Sequence, residues 1–560
     1  MNKNMDLVSG VTIGDFFDSQ ADNMPHQKAL ITPGQSDYTF GELKTISDIL
    51  ARGMMNLGIS KGDTAGIWAN NIPEWIFIFL ALGKIGAIIV PIHTGVKTSE
   101  LHYTLKQADV KFLFMVNSIN GTDLTKTIHL TIPDLRIHSS GKVQSKEFPF
   151  LRRIISIEDN NTTRFLRLSE IKNRTRQTGE SDFQSLKKTV CDMDSIVIKF
   201  TCALDGYSGG AMLTHFGLIN NARSMAKRLK FDSSDIICMP IPLFYIFGFW
   251  VGFMVSVTTH ASMVIMPQYS ALEVLKTIEE KHCTALYGVP SMFYDFLKHP
   301  KTSGLDCTSI RTGVLGGDYC SPGLIERIIK EMPVSYISNL YGITEVGILS
   351  QTECNDQSRK WIHTVGKPLD GMEMKVINSG NGKTVLSGQI GEICVRSPVI
   401  MKHYYKMPRK TREIIDQDMW FHTGDLGKFD KNGYYQITGR KSNLIIRGGE
   451  NIYPIEIEKH LLAHPDILDA RVVGVPSTRL SEEVYAFIKK RKSSTKCNHK
   501  TIKEYLGNKI ARFKVPRWID IVEAIPGEKR GIVDRNNIRT SAIEKLKLKE
   551  NPSFKIIYNS

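Results

Sequence analysis

The sequence predicts an α/β fold: a large N-terminal region of parallel α/β sheets with a β-rich subdomain, followed by a small α+β domain. Three observations carry this expectation. From residue 10 onward, apolar segments of helical spacing alternate with strand-like ones, which implies crossover helices between largely parallel strands. Between about 365 and 440, short strands and turns dominate. After Arg440 the order becomes strand, turn, helix, strand. The expected domains are 1–440, with the β-rich part at about 365–440, and 441–560.

Taken in order, residues 10–60 read as helix, short strand, helix, and YTFGELKTISDILARGMMNLGI has apolar residues at helical spacing up to Gly58. GDTAGIWANN reads as a strand and turn. The longest apolar stretch, Trp75–Ile92, contains Lys84 and several Gly, so it reads as a buried helix running into a strand rather than a membrane span. TSELHYTLKQADVKFLFMV repeats helix then strand, with Thr98 or Ser99 as N-cap. Residues 117–190 are polar and basic, and read as surface excursions around the strand-like FLRRIISI and a short helix. IVIKF then gives a strand, followed by a glycine-bearing loop and a helix from about His215. MEMKVIN, GEICVRS and YYQITGR supply the β-rich part. LIIRGGENIYPIEIEKHLLAHPDILDARVVGVP opens the last domain.

Composition narrows the function classes. With 42% hydrophobic and 23% charged residues over 560 positions, the chain is globular rather than disordered. Nine Cys, an odd number without a CxxC pair, argue against a disulfide framework or zinc ribbon and for a reducing compartment. The N-terminus has no apolar core of signal-peptide length and its first 20 residues are not Arg-rich, so a cytoplasmic location is expected, with a mitochondrial one left open. The net charge of +15 is dispersed, without an RNP, zinc-finger or helix-turn-helix pattern, so no nucleic-acid partner is expected. No transmembrane segment is expected either, and peripheral membrane contact stays open.

Four local patterns could carry chemistry. FTCALDGYSGGAMLTH (200–215) is strand, glycine loop, helix: a phosphate cradle of backbone N–H groups, or an ordinary turn. YGITE (341–345) puts Thr344 and Glu345 at a strand end, where α/β sheets open ligand crevices and a carboxylate suits Mg²⁺. In WFHTGDL (420–426), Asp425 stands behind a glycine on a turn, suiting ribose hydroxyls or simply forming the turn. GRKSNLIIRGGENIYPIEIE (439–458) offers Gly448 and Gly449 for close backbone approach, with Glu456 and Glu458 opening a helix.

The order and spacing of these four pieces resemble the adenylate-forming (AMP-binding) superfamily of acyl-CoA synthetases, nonribosomal adenylation domains and beetle luciferases. The resemblance runs nearly the whole chain. GIWANNIPEWIFIFLALGKIGAIIVPI, LYGVPSMFYDFL, DMWFHTGDLG and IIRGGENIYPIEIE are most similar to the medium-chain fatty-acid–CoA ligase branch. The resemblance implies ATP, Mg²⁺ and coenzyme A as co-substrates and a carboxylic acid, a medium-chain fatty acid, as substrate. The acid and ATP give an acyl-adenylate and pyrophosphate; the small domain rotates, and the CoA thiol displaces AMP. It further implies that Gly316, Gly317, Asp318, Tyr341 and Gly342 line the adenine pocket, that Thr344 touches phosphate and that Glu345 holds the metal. Asp425 is implied at the ribose and Arg440 at nucleotide oxygens. Arg447, Gly448, Gly449 and Glu450 are implied at the CoA tunnel. Tyr245, Phe247 and Gly248, in the run after Pro242, are implied at the acyl pocket.

Departures from the family pattern carry as much information. The family's phosphate loop reads approximately T-S-G-T-T-G-x-P-K-G. Here Thr201, Gly206 and Gly210 keep it, while Cys202, Leu204, Asp205, Ser208 and Gly209 depart from it. Asp205 would face triphosphate with a like charge, and each lost charged hydrogen bond is worth ~1.5–3 kcal/mol. In the C-terminal P-x-x-x-S-G-K loop, Pro526, Gly531, Arg535 and Arg539 hold the register, and the lysine position is Ile532. Losing such a donor costs about 10²–10³ in rate. Tyr245 replaces the family's His, Ser442 stands at the hinge position, and Asn443 replaces the usual Asp after it. The expectation is a fatty-acid–CoA ligase impaired in adenylation. A catalytically inactive homologue that binds nucleotide or acyl ligand is the alternative, and an adenylation enzyme with a non-CoA acceptor is a weaker one.

Overall fold

The computed structural model describes residues 7–159, 164–173, 179–201, 209–298, 304–318, 320, 322–354, 356, 360–440, 444–491, 498–526, 528–529, 532–533 and 535–547. Of the positions discussed above, Cys202, Leu204, Asp205, Gly206, Ser208, Gly531, Ser442 and Asn443 lie outside them, as do the side chains of Arg440 and Ile532.

Two mixed sheets with parallel centres build the N-terminal region. One has nine strands, and its centre runs Lys28–Ile31, Ser262–Ile265, Ile236–Met239, Ala285–Gly288, Thr312–Leu315, Tyr336–Ile343, all parallel. The other has seven, and Leu166–Arg167, Arg153–Ser156, Phe112–Met115, Thr64–Trp68, Ile88–Pro91 and Ser195–Thr201 are parallel. Gly209–Thr214 closes that sheet as an antiparallel edge. Parallel strands covered on both faces must be apolar throughout, which is why Thr64–Trp68 and Phe112–Met115 are wholly buried.

The helix Pro73–Lys84 shows how the sequence selects its place. Every residue except Glu74 is buried, and Trp75 stacks between Phe79 and Phe249. Lys84 ends it with a fully buried side chain, its ammonium 2.7 Å from Asp18 and 2.5 Å from Asp48. A buried ammonium needs such partners, because desolvation alone costs several kcal/mol.

Local details differ from the sequence expectations. The helix Thr98–Gln107 is capped by Lys97, and Glu100 accepts the Lys97 amide, so Thr98 is already helical. Residues 117–190 are more than surface excursions: Arg153–Ser156 is an interior strand, and Phe148, Leu151, Ile171 and Phe183 are buried in the main core. Alternation of charged and apolar residues hid that burial. Among the described residues all cysteines are free thiols, and no helix is long and apolar enough to cross a membrane.

The β-rich part is a four-stranded antiparallel sheet of Glu373–Ile377, Gly391–Arg396, Phe421–Phe429 and Tyr435–Arg440. The last unit is built on Ile467–Ser477 and Ser481–Lys490, a long antiparallel pair whose side chains alternate between two cores. Val472, Val484, Ala486 and Ile488 face the helices Pro454–Leu462 and His499–Gly507. Val473, Val475, Tyr485 and Phe487 face the helix Arg535–Lys545. This is the period-two rule of a strand buried on both faces. Glu458, expected to serve the helix dipole, instead accepts from the Val472 amide at 2.7 Å and pairs with Arg535 at 2.7 Å.

This unit docks on the N-terminal region. Lys514 bridges Glu100 at 2.6 Å and Glu456 at 2.7 Å, Ser99 donates to the Lys509 carbonyl, and Arg479 forks onto Asp295.

Candidate active site

A cavity of about 1250 Å³ opens where the two large sheets, the β-rich sheet and the docked C-terminal unit meet. Strand ends converge there, as α/β sheets require.

One end is polar. Strand Ser195–Thr201 pairs with Gly209–Thr214, and Thr201 stands opposite Gly209. Gly209 and Gly210 therefore lie in a strand, not in the loop the sequence implied. Their bareness has a packing reason. A Cβ on Gly210 would come within 2.6 Å of Ile198, and one on Gly209 within 2.8 Å of the Tyr404 ring. Backbone bonds from Met212 to His403 and from Tyr405 to Gly210 fix Tyr404 there. Its hydroxyl donates to Glu345 Oε1 at 2.5 Å, and Thr201 Oγ1 donates to the same oxygen at 3.2 Å. Burial and the Glu345 charge push the Tyr404 phenol far up, so it stays a donor.

Thr344 and Glu345 occupy the turn between Tyr336–Ile343 and Gly347–Gln351 and line the cavity with Gly342. Tyr341 is buried beside them, and its hydroxyl donates to Asp425 Oδ2 at 2.7 Å. Asp425 is not on a turn. It sits within strand Phe421–Phe429, 1% exposed, in register with Arg440. Gly424, at φ +69°, precedes it. Thus the two residues implied at the nucleotide are cross-strand neighbours. Gly317, at φ +81°, lines the cavity from the loop after Thr312–Leu315, while Gly316 packs against Leu340.

The other end is apolar, with Ile241, Pro242, Ile246, Phe247, Val289 and Met292 on its wall. Phe247–Met254 winds as a π-helix whose residues are all buried. Gly248 turns into the core, where a Cβ would meet the Pro242 carbonyl at 2.2 Å; of the segment after Pro242, Tyr245, Ile246 and Phe247 reach the cavity.

The C-terminal unit closes the mouth with the hairpin Ile445–Arg447/Glu450–Ile452. Gly448 at φ +59° and Gly449 at φ +87° make its turn, conformations that favour glycine. Arg447 points away and forks onto Glu483 at 2.6 Å. Glu450 points in: the Tyr245 hydroxyl donates to Glu450 Oε1, and His93 Nε2 lies 3.5 Å from it. Burial raises the Glu450 carboxyl, but His93, Tyr245 and Lys514 more than offset that and hold it below its ordinary value. Phe244, Tyr245 and Phe513 pack around His93.

Glu528–Lys529 and Ile532–Val533 pair as a short antiparallel hairpin. The helix after it is pinned to the far face of the C-terminal sheet by Arg535 on the Val472 carbonyl and Arg539 on the Gly474 carbonyl. Among the residues beyond Lys514 whose side chains are described, none lines the cavity.

Family comparison settles which fold this is. The model of the AMP-binding enzyme family matches residues 17–405, and that of the AMP-binding enzyme C-terminal domain matches 456–531. The chain belongs to the AMP-binding enzyme family. Among relatives, the medium-chain acyl-CoA ligase ACSF2, mitochondrial, of Rattus norvegicus is 31% identical over 96% of this chain and 88% of its own. The acyl-CoA ligase sidI of Aspergillus fumigatus is 34% identical over 91% and 86%. Among solved structures, the amide bond synthetase McbA from Marinactinospora thermotolerans aligns with a TM-score of 0.79 at 23% identity, covering 94% of this chain and 99% of that one. That likeness concerns the fold. In this AMP-binding enzyme, sequence reasoning missed His93, Lys199 and Tyr404, all of which line the cavity. Lys199 left a signal: it interrupts the apolar run SIVIKFT two positions before Thr201, on the same strand face.

Proposed function

We propose that this protein is an AMP-forming fatty-acid–CoA ligase acting through an acyl-adenylate, with thioester formation better served than adenylation. The observation that carries the reading is the single cavity joining the Thr201–Thr344–Glu345–Asp425 end to the Tyr245–Phe247 wall and the Gly448–Glu450 mouth. Asp425 would accept from the ribose hydroxyls, with Tyr341, Gly342 and Gly316–Asp318 around the adenine. Thr344 and Thr201 would meet phosphate. Glu345 fits Mg²⁺, since one carboxylate on a turn beside phosphates is the donor set that ion takes. When bound, Mg²⁺ would neutralise phosphate charge.

The acid would lie along the Tyr245–Phe247 wall, its carboxylate toward Thr344. A thiol entering past Gly448 and Gly449 would meet the acyl carbon near Tyr245. The names of the relatives support a medium-chain acid and coenzyme A, and a cytoplasmic location with a basic surface open to membranes is the reading for this chain. Position 209 carries no cation, and neither does 532, so adenylation is the slower half.

The test is octanoate-dependent ATP–pyrophosphate exchange beside thioester formation from preformed octanoyl-adenylate and CoA. Both activities are expected, the second faster. Absence of both, with AMP still bound, would replace the ligase by a nucleotide-binding homologue.

A further inference from the structure

Strand Ser195–Thr201 carries one charged side chain, Lys199. Side chains two apart on a strand share a face, and Lys199 and Thr201 both line the cavity. Lys199 is only 8% exposed, and its Nζ stands 5.6 Å from the Tyr245 ring centre. It thus lies between the polar end, which Thr201 shares with Glu345, and the acyl wall, which Tyr245 begins.

An ammonium held this deep pays a desolvation penalty that anionic company offsets. Lys514 is clamped between Glu100 and Glu456, and Lys410 stands 5.1 Å over the Tyr404 ring at the polar end. A rigid interior strand fixes Lys199 where the acid carboxylate and the α-phosphate would meet.

We propose that Lys199 is a catalytic residue of adenylation, its ammonium donating to the oxygens that gain charge as the mixed anhydride forms; this rests on the ligase reading above. In the step, a carboxylate oxygen of the acid attacks the α-phosphorus of ATP. The new O–P bond forms as the bond from the α-phosphorus to the bridging oxygen breaks, and pyrophosphate leaves with that electron pair. No proton moves, and Lys199 stays protonated. The charge comes from the N-terminal region itself and gives the step one cation although residue 532 supplies none.

The test compares native protein with Lys199→Met, Lys199→Gln and Lys199→Arg, using AMP and octanoyl-sulfamoyl-adenosine as calorimetric probes. Losing one charged hydrogen bond weakens the analogue about 10–100-fold in the Met and Gln variants, while AMP affinity stays native. Octanoate-dependent exchange falls about 10²–10³-fold, and Arg restores part of the analogue binding. Native AMP affinity shows that the variants are folded, and two neutral variants guard against one misfolding. Analogue binding unchanged in a folded neutral variant overturns the assignment of Lys199 alone. Native protein that binds AMP but not the analogue, or neither, overturns the ligase reading and this assignment with it.

Discussion

Two antiparallel strand pairs contribute to the cavity wall, and each carries adjacent glycines for a different reason. In Ile445–Arg447/Glu450–Ile452 the pair Gly448–Gly449 forms the turn, with positive φ that side chains resist. In Ser195–Thr201/Gly209–Thr214 the pair Gly209–Gly210 is in the strand, and what excludes a side chain is the Tyr404 ring and Ile198. The first hairpin presents a fastened carboxylate, Glu450, to the cavity. The second presents, at position 209, a surface already covered by tyrosine. The contrast teaches that the same residue pair can mark a working turn or a filled site, and packing alone tells which.

Glu345→Gln breaks the contrast most strongly if the two ends do separate chemistry. Octanoate-dependent exchange is expected to fall about 10²–10³-fold, with CoA-dependent consumption of octanoyl-adenylate within a few-fold of native. Equal losses in both assays would mean that the ends act as one. Glu450→Ala is the mirror experiment. It removes the partner of Tyr245 and His93, and a charged hydrogen bond of about 1.5–3 kcal/mol predicts a 10–100-fold loss in thioester formation, with exchange retained.

Gly209→Lys is the next in size. Its Cβ must displace the Tyr404 ring, and overpacking of this kind costs about 1–3 kcal/mol, read from the denaturation midpoint. Restoring a lysine at 209 therefore needs Tyr404→Ala beside it; full stability of the single variant would show that the ring yields freely.

Acid should separate the two hairpins by window. His215, which follows Gly209–Thr214, accepts the Ile13 amide on Nδ1, and burial lowers its pKa from 6.5 to about 4. A folded state that resists protonation is favoured above 6.5 and loses that advantage as pH falls toward 4, by up to roughly 3 kcal/mol. His215→Gln should flatten the stability curve over that range. Glu450 is held below its ordinary 4.5, so its contribution to docking is complete above 4.5 and is lost only as pH falls further. Small-angle scattering at stepped pH would detect undocking; release of the C-terminal unit already above pH 4.5 would show that Glu450 is not the fastening.

Much of the molecule was legible from local pattern. A long apolar stretch located Pro73–Lys84, and strand-end position marked Thr344 and Glu345. Other features were legible only in part. Asp425 was placed on a turn because a glycine precedes it, yet an irregular strand pairing accommodates Gly424. The family resemblance implied Gly248 at the acyl wall with its apolar neighbours, but an apolar run does not say which residues face a cavity and which the core.

By itself the sequence determined the fold family, the order of the α/β, β-rich and C-terminal regions and the absence of a cation at 209 and 532, because periodicity and side-chain identity are properties of single positions. Only the tertiary structure decided what occupies those places: that Tyr404, far along the chain, covers Gly209, that Glu450 reaches across to Tyr245, and that Lys199 faces the cavity rather than another layer of core. Such pairings depend on packing between elements distant in sequence, and close packing admits one neighbour where composition allows many.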